Sequence, residues 1–188
     1  MTGPAGGPIA EELARRIRLV VFDVDGVLTD GGVYLTLEEG TFHEAKRFDV
    51  QDGLGMKLLR RAGLEVVIVS GRYSPATDAR ARELGIECHQ DDGAHKLPAV
   101  RHVMARLGIG WGEVAMLADD VPDVAVLRLV GLKAAVANAI PMVAAMADWR
   151  STKQGGHGAV REFCDALLAA RGDLDRVLEE YVAERSDA

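Results

Sequence analysis

Leu19-Val20-Val21-Phe22-Asp23-Val24-Asp25-Gly26-Val27-Leu28-Thr29-Asp30 decides how the rest of the chain is read. Four consecutive apolar residues run into two carboxylates one residue apart, and then a glycine. A short continuous apolar run suits a strand buried on both faces. Three further runs look alike: Glu65-Val66-Val67-Ile68-Val69, Val114-Ala115-Met116-Leu117 and Leu132-Lys133-Ala134-Ala135-Val136. Helical patterns lie between them. Leu54, Leu58, Leu59 and Ala62 share a face, and Gly63 ends that helix. Ser74-Pro75 reads as the cap and first position of a helix running to Leu84-Gly85. Leu97 to Leu107-Gly108 and Pro122 to Val130-Gly131 repeat the pattern. Strands alternating with helices of this length predict an α/β fold with a doubly wound parallel (Rossmann-like) sheet.

One stretch breaks the rhythm. Val33 to Leu37, Glu38-Glu39-Gly40 and Thr41 to Asp49 read as a short β-hairpin, placed at about 31–50. The whole chain, 1–188, reads as one domain, with a flexible Gly/Pro-rich lead at 1–8 and helical turns over Ile9 to Arg16. A C-terminal tail begins near 153. It carries Gly155-Gly156-His157-Gly158, a helix over Val160 to Ala170 and a last charged helix, Asp173 to Glu184. Asp148-Trp149 reads as a short edge strand with the indole packed.

The net charge of −7 comes without a basic run and argues against nucleic acid as a partner. Cys88 and Cys164 lie far apart without metal-ligand spacing, so they read as reduced and packed. No apolar stretch approaches the roughly 20 residues that span a bilayer. The start lacks the apolar core of a signal peptide. A cytoplasmic protein with no membrane partner is expected.

In an open parallel sheet, ligands bind at the carboxyl ends of the strands. The polar residues at those ends are Asp23 and Asp25, then Ser70-Gly71-Arg72, then Asp119-Asp120 with Asp123 three residues on; Lys96 opens the helix before the last of these strands. Carboxylates gathered so densely repel one another unless a cation compensates, and hard oxygen ligands favour magnesium. A carboxylate can attack phosphorus, and a second one two residues on can protonate the leaving alcohol and later activate water. Lys96 and the metal would offset phosphoryl charge, and Ser70 with nearby backbone N–H groups could hold its oxygens. A calcium-loop reading fails on spacing, because its glycine belongs at position 6 and Gly26 is at position 4.

Asp23-x-Asp25-Gly26-x-x-Thr29-Asp30, Ser70-Gly71-Arg72, Lys96 and Asp119-Asp120-x-x-Asp123 match, in order, the four motifs of haloacid dehalogenase superfamily phosphatases, and the sequence resembles that family. The resemblance implies Asp23 as nucleophile and Asp25 as general acid and base. It implies Ser70, Gly71, Arg72, Lys96 and Thr29 around phosphate or substrate. Magnesium would be held by Asp23, the Asp25 carbonyl and Asp119, with Asp120 and Asp123 supporting the metal's ligands. Thr29-Asp30-Gly31-Gly32, the hairpin, Phe48 to Gly53 and Gly155 to Glu162 look, more closely, like the 3-deoxy-D-manno-octulosonate 8-phosphate phosphatases. That resemblance implies a phosphorylated sugar acid as substrate, a role in lipopolysaccharide precursors and a homotetramer whose hairpins assemble between subunits. It also implies a tail that carries Arg161 toward a neighbouring active site. Two positions depart from the pattern: Ala118 stands where Gly is usual, and His95 where Asp is common.

Taken singly, several of these residues have plainer readings. Ser70-Gly71-Arg72 is a common strand-to-helix turn, an isolated Lys96 would be solvated, Arg72 either meets substrate or pairs with a loop carboxylate, and the glycines near 155 suit a linker as well as a mobile tail. Three functions follow. The first is a sugar-acid phosphatase, on 3-deoxy-D-manno-octulosonate 8-phosphate or on a 9-phosphorylated nonulosonate. The second, a mutase, normally needs a cap domain, and the roughly 45 residues between Asp25 and Ser70 leave no room for one by ordinary element lengths. The third is a non-catalytic oligomeric scaffold.

Overall fold

The computed structural model describes residues 5–186. Six strands form one parallel sheet: β1 (Leu19–Phe22), β4 (Glu65–Ser70), β5 (Glu87–Gln90), β6 (Val114–Ala118), β7 (Leu132–Ala135) and β8 (Trp149–Arg150), in the order β5-β4-β1-β6-β7-β8. β1 is central, paired to β4 through Leu19↔Glu65 and to β6 through Leu19↔Val114. Its four residues are fully buried because both faces are covered. Val20 and Phe22 face one apolar cluster, and Leu19 and Val21 the other. The alternation is the period of two expected of any strand, hidden in the sequence because neither face meets water.

The first face is covered by α1 (Glu11–Arg16), α2 (Val50–Arg61), α3 (Pro75–Leu84), α7 (Ala159–Arg171) and α8 (Leu174–Ser186); the second by α4 (Lys96–Leu107), α5 (Val124–Leu127) and α6 (Pro141–Met146). Phe163 of α7 meets Phe22 edge to face at 6.2 Å and Trp149 at 5.3 Å, which seats α7 against the sheet. The hairpin is a separate two-stranded sheet, β2 (Tyr34–Glu38) and β3 (Thr41–Ala45), inserted between β1 and α2. Among the described residues, no cap domain accompanies it.

Several sequence expectations are met residue by residue. Ser74 caps α3 through the Thr77 N–H, and Gly85 and Gly108 end their helices in the left-handed region. Trp149 packs on edge strand β8 and donates to the Gly7 carbonyl at 2.8 Å. Both cysteines are free.

Three details differ. β5 was not foreseen, because Glu87-Cys88-His89-Gln90 is a half-buried edge strand without an apolar run. The helix expected over Pro122 to Val130 is a short 3-10 turn followed by α5, only four residues long; the Asp123 side chain is turned into the site and accepts from the Asp119 N–H, which tightens the chain there. Of the lead, residues 1–4 lie outside the described residues, while Gly6 donates to the Arg150 carbonyl at 2.7 Å.

α7 begins at Gly158, which has no side chain to cap it, and Asp52 of α2 takes that place. Its Oδ1 accepts from the Arg161 N–H at 2.7 Å, and the Gly158 N–H, close by, also favours its charged form. Burial raises the Asp52 pKa to about 6 against the lowering effect of those donors. Asp52→Ala leaves helix N–H groups unpartnered and should destabilise the protein by about 1–2 kcal/mol. Thermal unfolding checks this, and an unchanged Tm would contradict it.

Candidate active site

The carboxyl ends of β1, β4 and β6 share one edge of the sheet, and a cavity of about 180 Å³ opens there, lined by Asp23, Asp25, Gly71, Arg72, Ala94, Lys96, Asp119, Asp120, Pro122 and Asp123. Three separate crossovers deliver these groups, which is why residues nearly 100 positions apart in sequence meet.

Lys96 is the centre of the arrangement. It is the first residue of α4, its side chain is 3% exposed, and its ammonium bonds Asp23 Oδ1 and, at 2.5 Å, Asp123 Oδ1. Burial pulls the Lys96 pKa down, but the charges of Asp23 and Asp123 outweigh it and the net shift is upward. The ammonium is held charged. Ala94, two residues earlier, has φ +56, a left-handed conformation uncommon outside glycine, and packs close to Gly71, where an added Cβ would lie 3.0 Å from the Ala94 Cβ. Gly71 and the loop that leads into Lys96 are therefore fitted to each other.

Asp23, Asp119 and Asp123 each place an oxygen within 4.8 Å of the others. One ammonium does not neutralise three carboxylates. Burial, then Asp23 and Asp123, push the Asp119 pKa up to about 8. Asp123 also goes up, because burial and the Asp23 charge outweigh its bond to Lys96. Asp119 Oδ1 is buried with no hydrogen-bond partner. An unpartnered carboxylate oxygen beside two others is a set of hard donors short of one cation, and it fits magnesium.

The loop after β1 is fixed from beneath. Gly26 has φ +87, and a Cβ there would overlap the Asp119 carboxylate. Asn138 donates from Nδ2 to the Gly26 carbonyl at 3.0 Å and accepts at Oδ1 from the Gly155 N–H at 2.7 Å. Gly155 and Gly156 lie so close to Gly26 and Asp30 that a Cβ on either would collide with backbone. In this chain the glycines near 155 serve close packing under the Asp23 loop.

Not every expected residue reaches the cavity. Thr29 is fully buried and closes the Asp23 loop, its Oγ1 donating to the Val24 carbonyl at 3.2 Å and accepting from the Gly31 N–H at 3.2 Å. Ser70 Oγ is turned into its own bend, donating to the Arg72 carbonyl at 2.8 Å. Arg161 stays on the α2/α7 side, its guanidinium paired with Asp165 one turn on at 2.8 Å. Arg72 does both things open to it, lining the cavity while pairing with Glu44 of β3. Asp120 is exposed at the rim and accepts from the Val121 N–H. Ala118 is buried as the last residue of β6 with no positive φ, so glycine is not needed there. His95 is largely exposed and contributes no cap to α4.

Sequence reasoning missed Lys46 and Glu44. Lys46 Nζ bonds Asp25 Oδ1 at 2.6 Å with its side chain wholly buried. Burial raises the Glu44 pKa, yet Ser74 and Arg72 outweigh it and hold the carboxyl below the ordinary range. The only signal was their i, i+2 spacing in a segment that reads as strand, which would put both on one side.

The 3-deoxy-D-manno-octulosonate 8-phosphate phosphatase KdsC of Escherichia coli (strain K12) is 39% identical over 172 residues, spanning 90% of this chain and 90% of that protein. The chain belongs to that phosphatase family. A family model for haloacid dehalogenase-like hydrolases matches residues 90–163, which hold Lys96 and the Asp119 motif. Among solved structures, the family member from Moraxella catarrhalis, in complex with magnesium, phosphate and KDO, has a TM-score of 0.83 at 39% identity, covering 91% of this chain and 97% of that one. The cobalt-bound member from Haemophilus influenzae has a TM-score of 0.77 at 35% identity, covering 86% and 93%. Among the described residues, no helix is long and apolar enough to cross a membrane.

The raised Asp119 pKa gives a signed expectation. Without metal, the folded state holds more protons than the unfolded one between the free carboxylate value of ~4 and the folded value of about 8, so stability falls as pH rises through that window. Magnesium competes with those protons. It should therefore raise Tm more at pH 8 than at pH 6; an equal gain at both would contradict the assignment.

Proposed function

We propose that the protein hydrolyses the phosphate monoester of 3-deoxy-D-manno-octulosonate 8-phosphate through an aspartyl-phosphate on Asp23. The observation that carries this reading is the ammonium of Lys96 seated between Asp23 and Asp123 at the mouth of β1, beside the unpartnered Asp119 oxygen. The Moraxella catarrhalis structure, which holds magnesium, phosphate and KDO, supports the substrate.

Asp23 and Asp119 carboxylates and the Asp25 carbonyl would hold magnesium, which supplies charge neutralisation for the phosphoryl oxygens. An Asp23 oxygen attacks phosphorus in line with the sugar oxygen, forming the aspartyl-phosphate bond as the phosphorus–sugar oxygen bond breaks. The Asp25 carboxylic acid gives its proton to the departing oxygen. Its carboxylate then takes a proton from a water that attacks phosphorus, releasing phosphate and restoring Asp23. Lys96 keeps Asp23 oriented and offsets negative charge as the phosphoryl group transfers. Arg72 and the Gly71 turn form the rim on the substrate side.

The cavity is smaller than the roughly 300–1,000 Å³ usual for organic ligands, at about 180 Å³. It suits a phosphate and a cation and leaves the sugar acid outside. With no cap, the remaining walls come from other subunits. The hairpin supports this: Leu35, Leu37 and Phe42 are 59%, 62% and 69% exposed on a two-stranded sheet, and such a hairpin is marginal alone. We propose that the active unit is a homotetramer in the cytoplasm.

Phosphate release from a panel containing 3-deoxy-D-manno-octulosonate 8-phosphate and 9-phosphorylated nonulosonates, with magnesium and with chelator, tests the reading. The octulosonate should dominate, and only with magnesium; preference for a nonulosonate would move the substrate, and no turnover by folded oligomer would favour a scaffold. Asp23→Asn should abolish turnover while the protein stays folded, as circular dichroism would show; appreciable residual turnover would mean that the nucleophile is another residue.

A further inference from the structure

We infer that Lys46 is a positioning residue for Asp25: it ties one carboxylate oxygen of the proton donor and leaves the other facing the cavity. The inference rests on the reading of Asp25 as general acid and base.

The observation is a buried ammonium with a single close partner. Lys46 follows β3, and its side chain is 0% exposed while Asp25 remains one-third exposed. Its Nζ lies 2.6 Å from Asp25 Oδ1 and 3.8 Å from Glu44 Oε1. Lys46 does not line the cavity, whereas Asp25 does. Whatever Lys46 does to the chemistry, it does through Asp25. A buried ammonium is costly unless paired and hydrogen-bonded, so the pair is a fixed feature of the fold.

Glu44 completes the bracket. It accepts from Ser74 Oγ at 2.7 Å and pairs with Arg72, so it is anchored to the loop after β4. Glu44 of β3 and Lys46 just after the strand, spaced i, i+2, thus join the Arg72 loop to the Asp25 loop. Asp25 has few other restraints: among the described residues its carboxylate has no hydrogen-bond donor besides Lys46. Its backbone lies in a loop where Gly26 takes a positive φ. A carboxyl that must first give a proton to the sugar oxygen and then take one from water needs the same oxygen aimed at the same place in both steps. Lys46 on Oδ1 assigns that work to Oδ2.

A proton donor matters only when the leaving group needs a proton. Lys46→Met keeps the length and apolar stem of the side chain and removes the ammonium. Its kcat/KM should fall roughly 10–100-fold for the alkyl sugar phosphate, within the range of general acid catalysis, and about 3-fold or less for p-nitrophenyl phosphate, whose leaving group departs unprotonated. KM should change little. Lys46→Gln, which retains a donor, serves if the methionine variant does not fold, and should show the same split to a smaller degree. Equal losses on both substrates at unchanged Tm would reduce Lys46 to a structural pair and overturn the inference. A rise in KM alone would make it a substrate ligand and overturn it as well. Asp25→Asn, run alongside, separates the two levels: a leaving-group split in Asp25→Asn but not in Lys46→Met sinks only the Lys46 proposal, whereas no split in Asp25→Asn sinks the role of Asp25 itself.

Discussion

The Lys96 ammonium between Asp23 and Asp123 is the interaction on which the site depends. A parallel sheet brings the carboxyl ends of β1 and β6 side by side, so the acidic residues after them are forced together. Their mutual repulsion in a half-buried cleft would open the loops if nothing opposed it. One lysine delivered by α4 from the neighbouring crossover opposes part of it. The remainder is expressed as raised Asp119 and Asp123 pKa values and as an unpartnered Asp119 oxygen. The same shortage of positive charge favours a divalent cation among these oxygens.

Close backbone approach is the second constraint, and it explains where the glycines are. Gly26 lets the Asp119 carboxylate lie over the Asp23 loop, and Gly155 and Gly156 let the segment after β8 press against the same loop from the other side. Asn138 ties both with one amide. The Asp23 loop is thereby held from several directions without being covered, which suits a site that must stay open to a substrate larger than its cavity. The hairpin reaches in through Glu44 and Lys46, so order in the hairpin and the aim of Asp25 are physically linked.

Much of this was legible in the sequence. The apolar runs gave β1, β4, β6 and β7 because fully buried strands have no polar face to confuse the reading, and Ser74, Gly85 and Gly108 marked helix ends through local chemistry alone. Asp23, Asp25, Lys96, Asp119 and Asp123 could be gathered at one edge because strand ends in a parallel sheet all point the same way. β5 escaped because an edge strand needs no apolar run. Thr29 and Ser70 were placed near phosphate because their motifs suggested it, but a hydroxyl's direction is decided by local turns that no spacing reveals. Lys46 was hidden for a different reason. A lysine at the end of an exposed hairpin reads as solvated, and only the three-dimensional return of the chain past the Asp25 loop buries it.

In the proposed mechanism, phosphate passes through Asp23. Acid quenching during turnover with magnesium, borohydride trapping of any acyl phosphate and mass spectrometry of the peptides test it most directly. The account predicts a single reduced or phosphorylated residue at Asp23, present with magnesium and absent with chelator. Steady turnover with an unmodified Asp23, or with the label on another residue, would contradict it.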